Sequence, residues 1–534
     1  MRIKNSLFIV IIFLVTLLAY LLWPLGSSNF AITHDQTALD QKNYYLNNNA
    51  EKHAKSPNII LITVDDLGMA DVSLYGEGTI QTPNIDRLGA GGVVFENAYV
   101  TSPVCAPSRA ALITGRYQQR FGFEFTIHER YLRNRLEYLG FKYFIDSYPW
   151  EARWATEVPD ESAIQQQGLP SSEITLAEIL KKHGYKTGIM GKWHLGYDEA
   201  HLPSRFGFDE QYGFFSSHSL YAYENTKGIV DQKIEADWTD PYIWSGQRND
   251  EHGIYRNNKK IEEKGYLTDR ITDESIAFIE KNKQEPFFLW VSYNAPHTPL
   301  QAPQEYINRY KNIDDPVKRI YAAMIHNLDD NIGRLMKYIE DNNLDNSLIF
   351  LISDNGGAEY TFTTDNGRYE GGKNTEFEGG IKVPMIIRWN NILPNSVRYK
   401  PMVSSMDIFS TSLAAAEITS LPEKPIDGVN LLPFLLDSLK GNPHQYLYWQ
   451  RGMSKAIRTN EWKLLFNDQT GDQVLYNLDE NKYENPDMHA SRTEIVDELK
   501  AVHKNWRETH ASPLWPPVIY YIADKDGKSY YFEQ

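Results

Sequence analysis

Four stretches of the chain, 57–64, 287–293, 347–353 and 383–389, are apolar at nearly every position instead of at every second one. A strand with one wet face alternates, whereas a continuous β-branched run belongs to a strand covered on both faces, as in a parallel sheet. Helical patterns lie between these runs. Residues 173–185 read as a capped amphipathic helix closed by Gly184, and 321–340 as a long helix with Leu328, Ile332 and Leu335 on one face. His326, Asp329 and Asp330 on that helix read as scaffold. Such alternation predicts an α/β fold: a large, mostly parallel central sheet flanked by helices. After Gly441 the pattern changes to short alternating strands at 445–449, 455–458, 462–465 and 474–478, followed by a helix. That change predicts a smaller C-terminal α+β domain built on an antiparallel sheet.

The same pattern sets the domain limits. Arg2 and Lys4 precede an apolar run over 7–25, longer than the ~7–15 residues of a signal h-region and close to the ~20 that span a bilayer. Residues 1–26 are therefore expected to be a signal peptide or signal anchor, with possible membrane attachment and the body exported. Residues 27–55 are polar and rich in Asn and Gln, and are expected to be a tether. The catalytic domain is expected over 56–440 and the C-terminal domain over 441–534. Within the former, 121–170 is charged and aromatic, with Tyr143, Tyr148, Trp150 and Trp154, and reads as an insertion that shapes specificity.

Composition narrows the function. A formal charge of −16 disfavours a nucleic-acid surface and requires any anionic substrate to be drawn by a local basic pocket. Aromatic residues make up 13% of the chain, which suits stacking on sugars as well as core packing. Cys105 is the single cysteine, so no intramolecular disulfide forms. That scarcity points to a bacterial periplasmic or cell-surface protein.

Polar residues gather where the apolar runs end, the place where open α/β sheets bind ligands. The first run ends in Asp65-Asp66 and the third in Asp354-Asn355. Three carboxylates and an amide form an all-oxygen set suited to a hard cation such as Ca²⁺, whereas Zn²⁺ would want His or Cys. Lys192 and His194 alternate in Gly191-Lys192-Trp193-His194-Leu195-Gly196, and His297 sits between Pro296 and Pro299 beyond the second run. Lys373 occupies a glycine-rich loop, where backbone and ammonium can approach an anion closely. Cys105 begins Cys105-Ala106-Pro107-Ser108-Arg109 in a stiff turn opening a helix, a setting of positive potential that favours a reactive side chain.

That cysteine segment, continued by Leu112-Ile113-Thr114-Gly115-Arg116, resembles the signature of the type I, formylglycine-dependent sulfatases of the alkaline phosphatase superfamily. The acid pair, Thr82-Pro83-Asn84, the Lys-Trp-His element, Pro-His-Thr-Pro and the Lys373 loop follow in that family's order over about 58–478. The resemblance implies that a maturation enzyme oxidises Cys105 to formylglycine (3-oxoalanine), whose hydrate attacks sulfur in line and then collapses to release sulfate. It implies one Ca²⁺ on Asp65, Asp66, Asp354, Asn355 and the modified Cys105. Arg109 would steady the hydrate, His194 would act as base, and His297 or Lys373 as acid. Lys192, His297, Lys373 and Ser217 would hold the sulfate, with His218 beside Ser217. The implied substrate is a sulfated polysaccharide or oligosaccharide. Lys382 stands where members commonly carry arginine, which puts any role there in doubt. Two other functions compete: phosphoester or phosphonate hydrolysis, and non-catalytic binding of sulfated glycans should Cys105 stay a thiol.

Overall fold

The continuous apolar runs form the middle of a ten-stranded sheet. The structure is a computed structural model and describes residues 2–27, 30–33, 35–48, 56–76, 80–479 and 483–534, with side chains from Ser6 onward. In chain order the sheet strands are β1 Asn58–Asp65, β2 Val93–Phe95, β3 Lys186–Lys192, β4 Glu210–Phe214, β5 Ile254–Arg256, β6 Lys259–Ile261, β7 Phe287–Pro296, β8 Ser347–Ser353, β9 Met385–Trp389 and β10 Val397–Tyr399. Their spatial order is β10-β2-β9-β8-β1-β7-β3-β4-β5-β6. The five neighbours β8, β1, β7, β3 and β4 are parallel.

Both faces of β1 are buried, which is why its run does not alternate. Ile59 and Leu61 pack with Ala106 and Ile113 of the helix Cys105–Thr114. Ile60, Ile62 and Val64 pack with Leu267 and Ile271 of Leu267–Asn282 and Ile320 and Leu328 of Pro316–Asp341. Each such side chain contributes about 1.5–3 kcal/mol of burial. The β1–β7 register shifts between Thr63 and Asp65, so the chain leaves the ladder just where the acid pair begins. On the long helix, Asp329 accepts from the backbone N–H groups of Asn84 and Ile85 and caps the helix Pro83–Ala90.

The C-terminal part carries a four-stranded antiparallel sheet, Leu447–Arg451, Ser454–Arg458, Trp462–Asn467 and Gln473–Asn477, covered by the helix Thr493–Arg507. A second small sheet joins Ile519–Lys525 and Lys528–Glu533 to Trp150–Ala152 of the 121–170 segment. The insertion and the C-terminal part therefore share a sheet, and the expected boundary at 441 does not separate them.

The expected tether is corrected more strongly. Gln36–Asn47 is a helix capped by Asp35, whose carboxylate accepts from Ala38 N–H at 2.9 Å. Buried Lys42 pairs with Glu178 at 2.7 Å and donates to the Glu173 carbonyl, and Tyr45 donates to the Ser420 carbonyl. A lysine stem and a tyrosine supply the docking face in place of an aliphatic stripe, so the segment looked solvated. Residues 28–29, 34 and 49–55 of that stretch lie outside the described residues. Arg2–Leu22 is one helix with exposed Leu7, Phe8 and Phe13. Among the described residues no helix is long and apolar enough to cross a membrane.

Candidate active site

Four strand ends, one helix start and one loop converge at the carboxyl edge of the sheet. β1 delivers Asp65 and Asp66, β8 delivers Asp354 and Asn355, β3 delivers Lys192 and His194, and β7 delivers His297. Cys105 is the first residue of its helix, and Lys373 enters from the loop before β9. All are buried: Cys105 is 3% exposed, Lys373 7% and His297 8%.

Three cations answer three carboxylates, one to one. Arg109 Nε donates to Asp354 at 2.7 Å, Lys192 Nζ to Asp65 at 2.7 Å, and Lys373 Nζ to Asp66 at 2.8 Å. The Cys105 thiol lies 3.2 Å from Asp65 Oδ1 and 3.8 Å from Asp66 Oδ1. His297 Nε2 stands 3.6 Å from Asp66 Oδ2, while its Nδ1 is 2.6 Å from the Thr298 carbonyl, which fixes the ring. The proton then belongs on Nδ1 in the neutral ring, leaving the Nε2 lone pair facing the pocket.

Backbone conformation reinforces this arrangement. Asp66 and His194 adopt φ of 63° and 59°, left-handed values that cost non-glycine residues energy and that cluster at functional sites. Ser353 holds the first turn, accepting from Leu67 N–H at 3.0 Å and donating to the Asn355 carbonyl at 2.8 Å.

The charges respond to this crowding. Burial opposes ionisation of Asp65, yet Lys192, His297 and Arg109 hold its carboxyl well below the usual range. Burial and the neighbouring Asp65 push Asp354 up to about 7. Burial, then Lys192 and Arg109, keep His194 well below the ordinary imidazole value, so it is neutral. Burial, then Lys373, lower His297 to about 4. Burial and the Asp354 and Asp65 carboxylates push the Cys105 thiol well above its usual value. A neutral thiol is a poor nucleophile, so unmodified Cys105 is not activated here.

The donor set fits the expected cation. Of the expected ligands, Asp65, Asp66 and Cys105 lie together, with ligand atoms within 4.8 Å of one another and of His297, while Asp354 stands outside that group and is held by Arg109. Asn355 donates through Nδ2 to Asp66 at 2.7 Å, and its buried Oδ1 has no hydrogen-bond partner. A buried carbonyl oxygen without a donor beside three carboxylates is what a hard cation satisfies.

Two further residues of the sequence reading make other contacts. Ser217 lies in the wall beside the pocket, its hydroxyl 2.9 Å from His218 Nδ1. Lys382 is turned away, donating to Asn97 at 2.8 Å. One residue escaped the sequence reading. Ser292 on β7 accepts from Arg109 Nη1 and donates to the Lys192 carbonyl, both at 2.6 Å, and so ties the helix Cys105–Thr114 to β3. Serine within a buried strand was its signal: an unpaired hydroxyl there needs partners.

A mostly parallel sheet with an anion-ester pocket of this make at its carboxyl edge defines an alkaline-phosphatase-like hydrolase. The sulfatase family model matches residues 57–418, and the chain belongs to the sulfatase family, enzymes that hydrolyse sulfuric esters. It is 35% identical over 387 residues to human N-acetylgalactosamine-6-sulfatase, covering 71% of this chain and 66% of that protein's length. A solved structure titled Ps i-CgsB in complex with k-i-k-neocarrahexaose superposes with a TM-score of 0.72 at 32% identity, over 86% of this chain and 95% of that one. Phosphonate monoester hydrolase of Agrobacterium radiobacter shares the fold, with a TM-score of 0.57 at 17% identity over 89% of this chain and 99% of that one.

Proposed function

We propose that the protein is an exported sulfatase that removes sulfate from a sulfated polysaccharide or oligosaccharide. The observation that carries this reading is the one-to-one match of Arg109, Lys192 and Lys373 to Asp354, Asp65 and Asp66. A divalent cation added to a pocket already balanced leaves it with net positive charge, suited to an anionic ester. The names of the human relative and of the saccharide complex support a sulfated sugar as substrate. The apolar 7–25 segment after Arg2 and Lys4 supports export, to the periplasm or surface of a bacterium.

Asp65, Asp66, Asp354 and Asn355 would hold Ca²⁺, with residue 105 beside them. The ion would supply Lewis-acid stabilisation of charge on oxygen. Formylglycine made from Cys105 by a maturation enzyme would supply, as its hydrate, a hydroxyl nucleophile for sulfur. The chain's own residues do the rest. Arg109, tied to Asp354 and Ser292, fixes the helix that carries residue 105. Lys192 and Lys373 turn their ammonium groups to the sulfate oxygens and stabilise the charge that grows there. Neutral His194, with a buried and unpartnered Nδ1, can take a proton. His297 or Lys373 protonates the leaving oxygen: the Lys373 ammonium already carries a proton, whereas His297 must first be protonated on Nε2.

The test is the intact mass of the peptide carrying Cys105, from protein matured in its host, with a sulfate-release assay on sulfated saccharides and 4-nitrophenyl sulfate. An aldehyde mass and sulfate release, both lost in Cys105→Ala, are expected. A thiol mass in active protein would overturn the formylglycine mechanism. Faster release of phosphate from 4-nitrophenyl phosphate would favour the phosphoester reading.

A further inference from the structure

A second polar group lies in the wall next to the sulfate pocket and takes no part in the chemistry above. Glu129 comes from the 121–170 insertion. Its Oε1 accepts from Ser216 Oγ at 3.1 Å and lies 3.6 Å from His252 Nε2, and its Oε2 accepts from the Tyr242 hydroxyl. His252 keeps its orientation through Nδ1, 3.0 Å from the His218 carbonyl, with the two imidazole rings 4.3 Å apart. A carboxylate oxygen of Glu251 falls within 4.8 Å of these ligand atoms, and its backbone carbonyl accepts from Phe215 and Ser216 N–H.

This wall is continuous with the catalytic centre. The Phe215 carbonyl accepts from His194 N–H at 3.1 Å, and Ser217 with His218 follows directly. Unlike the sulfate pocket, the wall is open: Tyr242 is 52% exposed and the Glu129 side chain 24%. An exposed aromatic face beside a fixed carboxylate, a hydroxyl and an imidazole matches what a sugar ring offers, apolar C–H faces edged by hydroxyl donors. Two carboxylates on this wall, faced only by the imidazoles of His252 and His218, also make it hostile to anions.

We propose that Glu129, Tyr242 and Ser217 form the subsite for the uncharged, hydroxyl-bearing part of the sugar next to the reacting sulfate, and that Glu129 makes this subsite reject a second anionic group. Tyr242 supplies the stacking face and aims the carboxylate, and Glu129 accepts from sugar hydroxyls. The preferred substrate is a sugar that is monosulfated at its reacting ring. This rests on the sulfated-saccharide reading above.

The test uses the matured full-length chain, with 4-nitrophenyl sulfate as reporter and N-acetylgalactosamine 6-sulfate and its 4,6-disulfate as competitors. The monosulfate should inhibit the wild type at least about tenfold more tightly than the disulfate, the discrimination given by one charged contact. Glu129→Gln should bring the two constants within about threefold of each other. Tyr242→Ala should weaken the monosulfate by about tenfold, with Tyr242→Phe in between. A ratio left intact in Glu129→Gln, or a wild type that prefers the disulfate, overturns the proposal. Because the ratio is internal to each variant, partial misfolding moves both constants together and does not mimic the result. A wild type that turns over the reporter but binds neither saccharide overturns the saccharide reading and the subsite with it. Failure to cleave the reporter despite converted Cys105 overturns the sulfatase reading first.

Discussion

At the scale of single residues, the pocket pairs every buried charge, and removing one member leaves its partner exposed to the full cost of burial. Lys373→Ala should lower kcat by about 10²–10³-fold on 4-nitrophenyl sulfate, measured per converted Cys105, because a preorganised charge at the sulfate is lost. Asn355→Ala deletes one proposed oxygen ligand without touching Cys105. Calorimetric titration should then show weaker Ca²⁺ binding, and unaltered affinity would remove Asn355 from the ligand set. Most chemistry-bearing residues at this scale were readable because they stand near a glycine, a proline or the end of an apolar run; the roles of Arg109 and His194 came from the family resemblance. Ser292 and Glu129 were not readable. Their partners are far away in the chain: a hydroxyl inside a buried strand was the sole local hint for Ser292, and nothing local marks Glu129.

Secondary-structure elements carry their own predictions. The helix Gln36–Asn47 is pinned by the Lys42–Glu178 pair, both members nearly inaccessible. Lys42→Met strands a buried carboxylate and should cost about 3 kcal/mol, read as a lower midpoint in thermal unfolding; an unchanged midpoint would mean the helix does not stay docked in solution. At the helix Asp407–Ala415, His444 Nε2 lies 2.8 Å and 2.9 Å from the two Asp407 oxygens. Burial opposes protonation of His444, but Asp407 outweighs it and raises the folded value above the ordinary one. The pair's stabilisation is therefore full below the ordinary histidine value and lost as pH rises through the raised one. His444→Gln should lower the unfolding midpoint more at about pH 5.5 than at about pH 9, and an equal loss at both would contradict the sign. The core strands were legible since continuous apolar runs have one good explanation. The helix 36–47 was not, since its contacts use a lysine and a tyrosine.

Across the whole molecule, the C-terminal part reaches into the active site. Asn374, next to Lys373, has φ of 78° and donates its N–H to the Pro103 carbonyl, two residues before Cys105. Arg451 donates to the Asn374 carbonyl, and Gln534 Nε2 donates to its side-chain oxygen at 2.9 Å. Arg451→Lys keeps a charge but shortens the reach, and should reduce kcat by about tenfold or more while KM shifts less. Loss in KM alone would mean that the clamp serves binding and not positioning. Antiparallel patterning revealed that this region is a sheet. It could not reveal that a second sheet, Ile519–Lys525 with Lys528–Glu533, pairs with Trp150–Ala152, nor that Arg451 and Gln534 meet the Lys373 loop, because register between distant segments leaves no trace in local periodicity.

The burial of Cys105 also sets an order of events during synthesis. A thiol held inside the fold is closed to the active site of another protein, so any enzyme that modifies it must meet the chain before the helix Cys105–Thr114 settles against the sheet. The clamp on the neighbouring loop is finished by Arg451 and Gln534, which leave the ribosome long after residue 105. On the proposed maturation, the distance along the chain between Cys105 and the residues that seal its pocket would act as a timer, and slower completion of the C-terminal sheet would lengthen the interval in which the thiol can be reached.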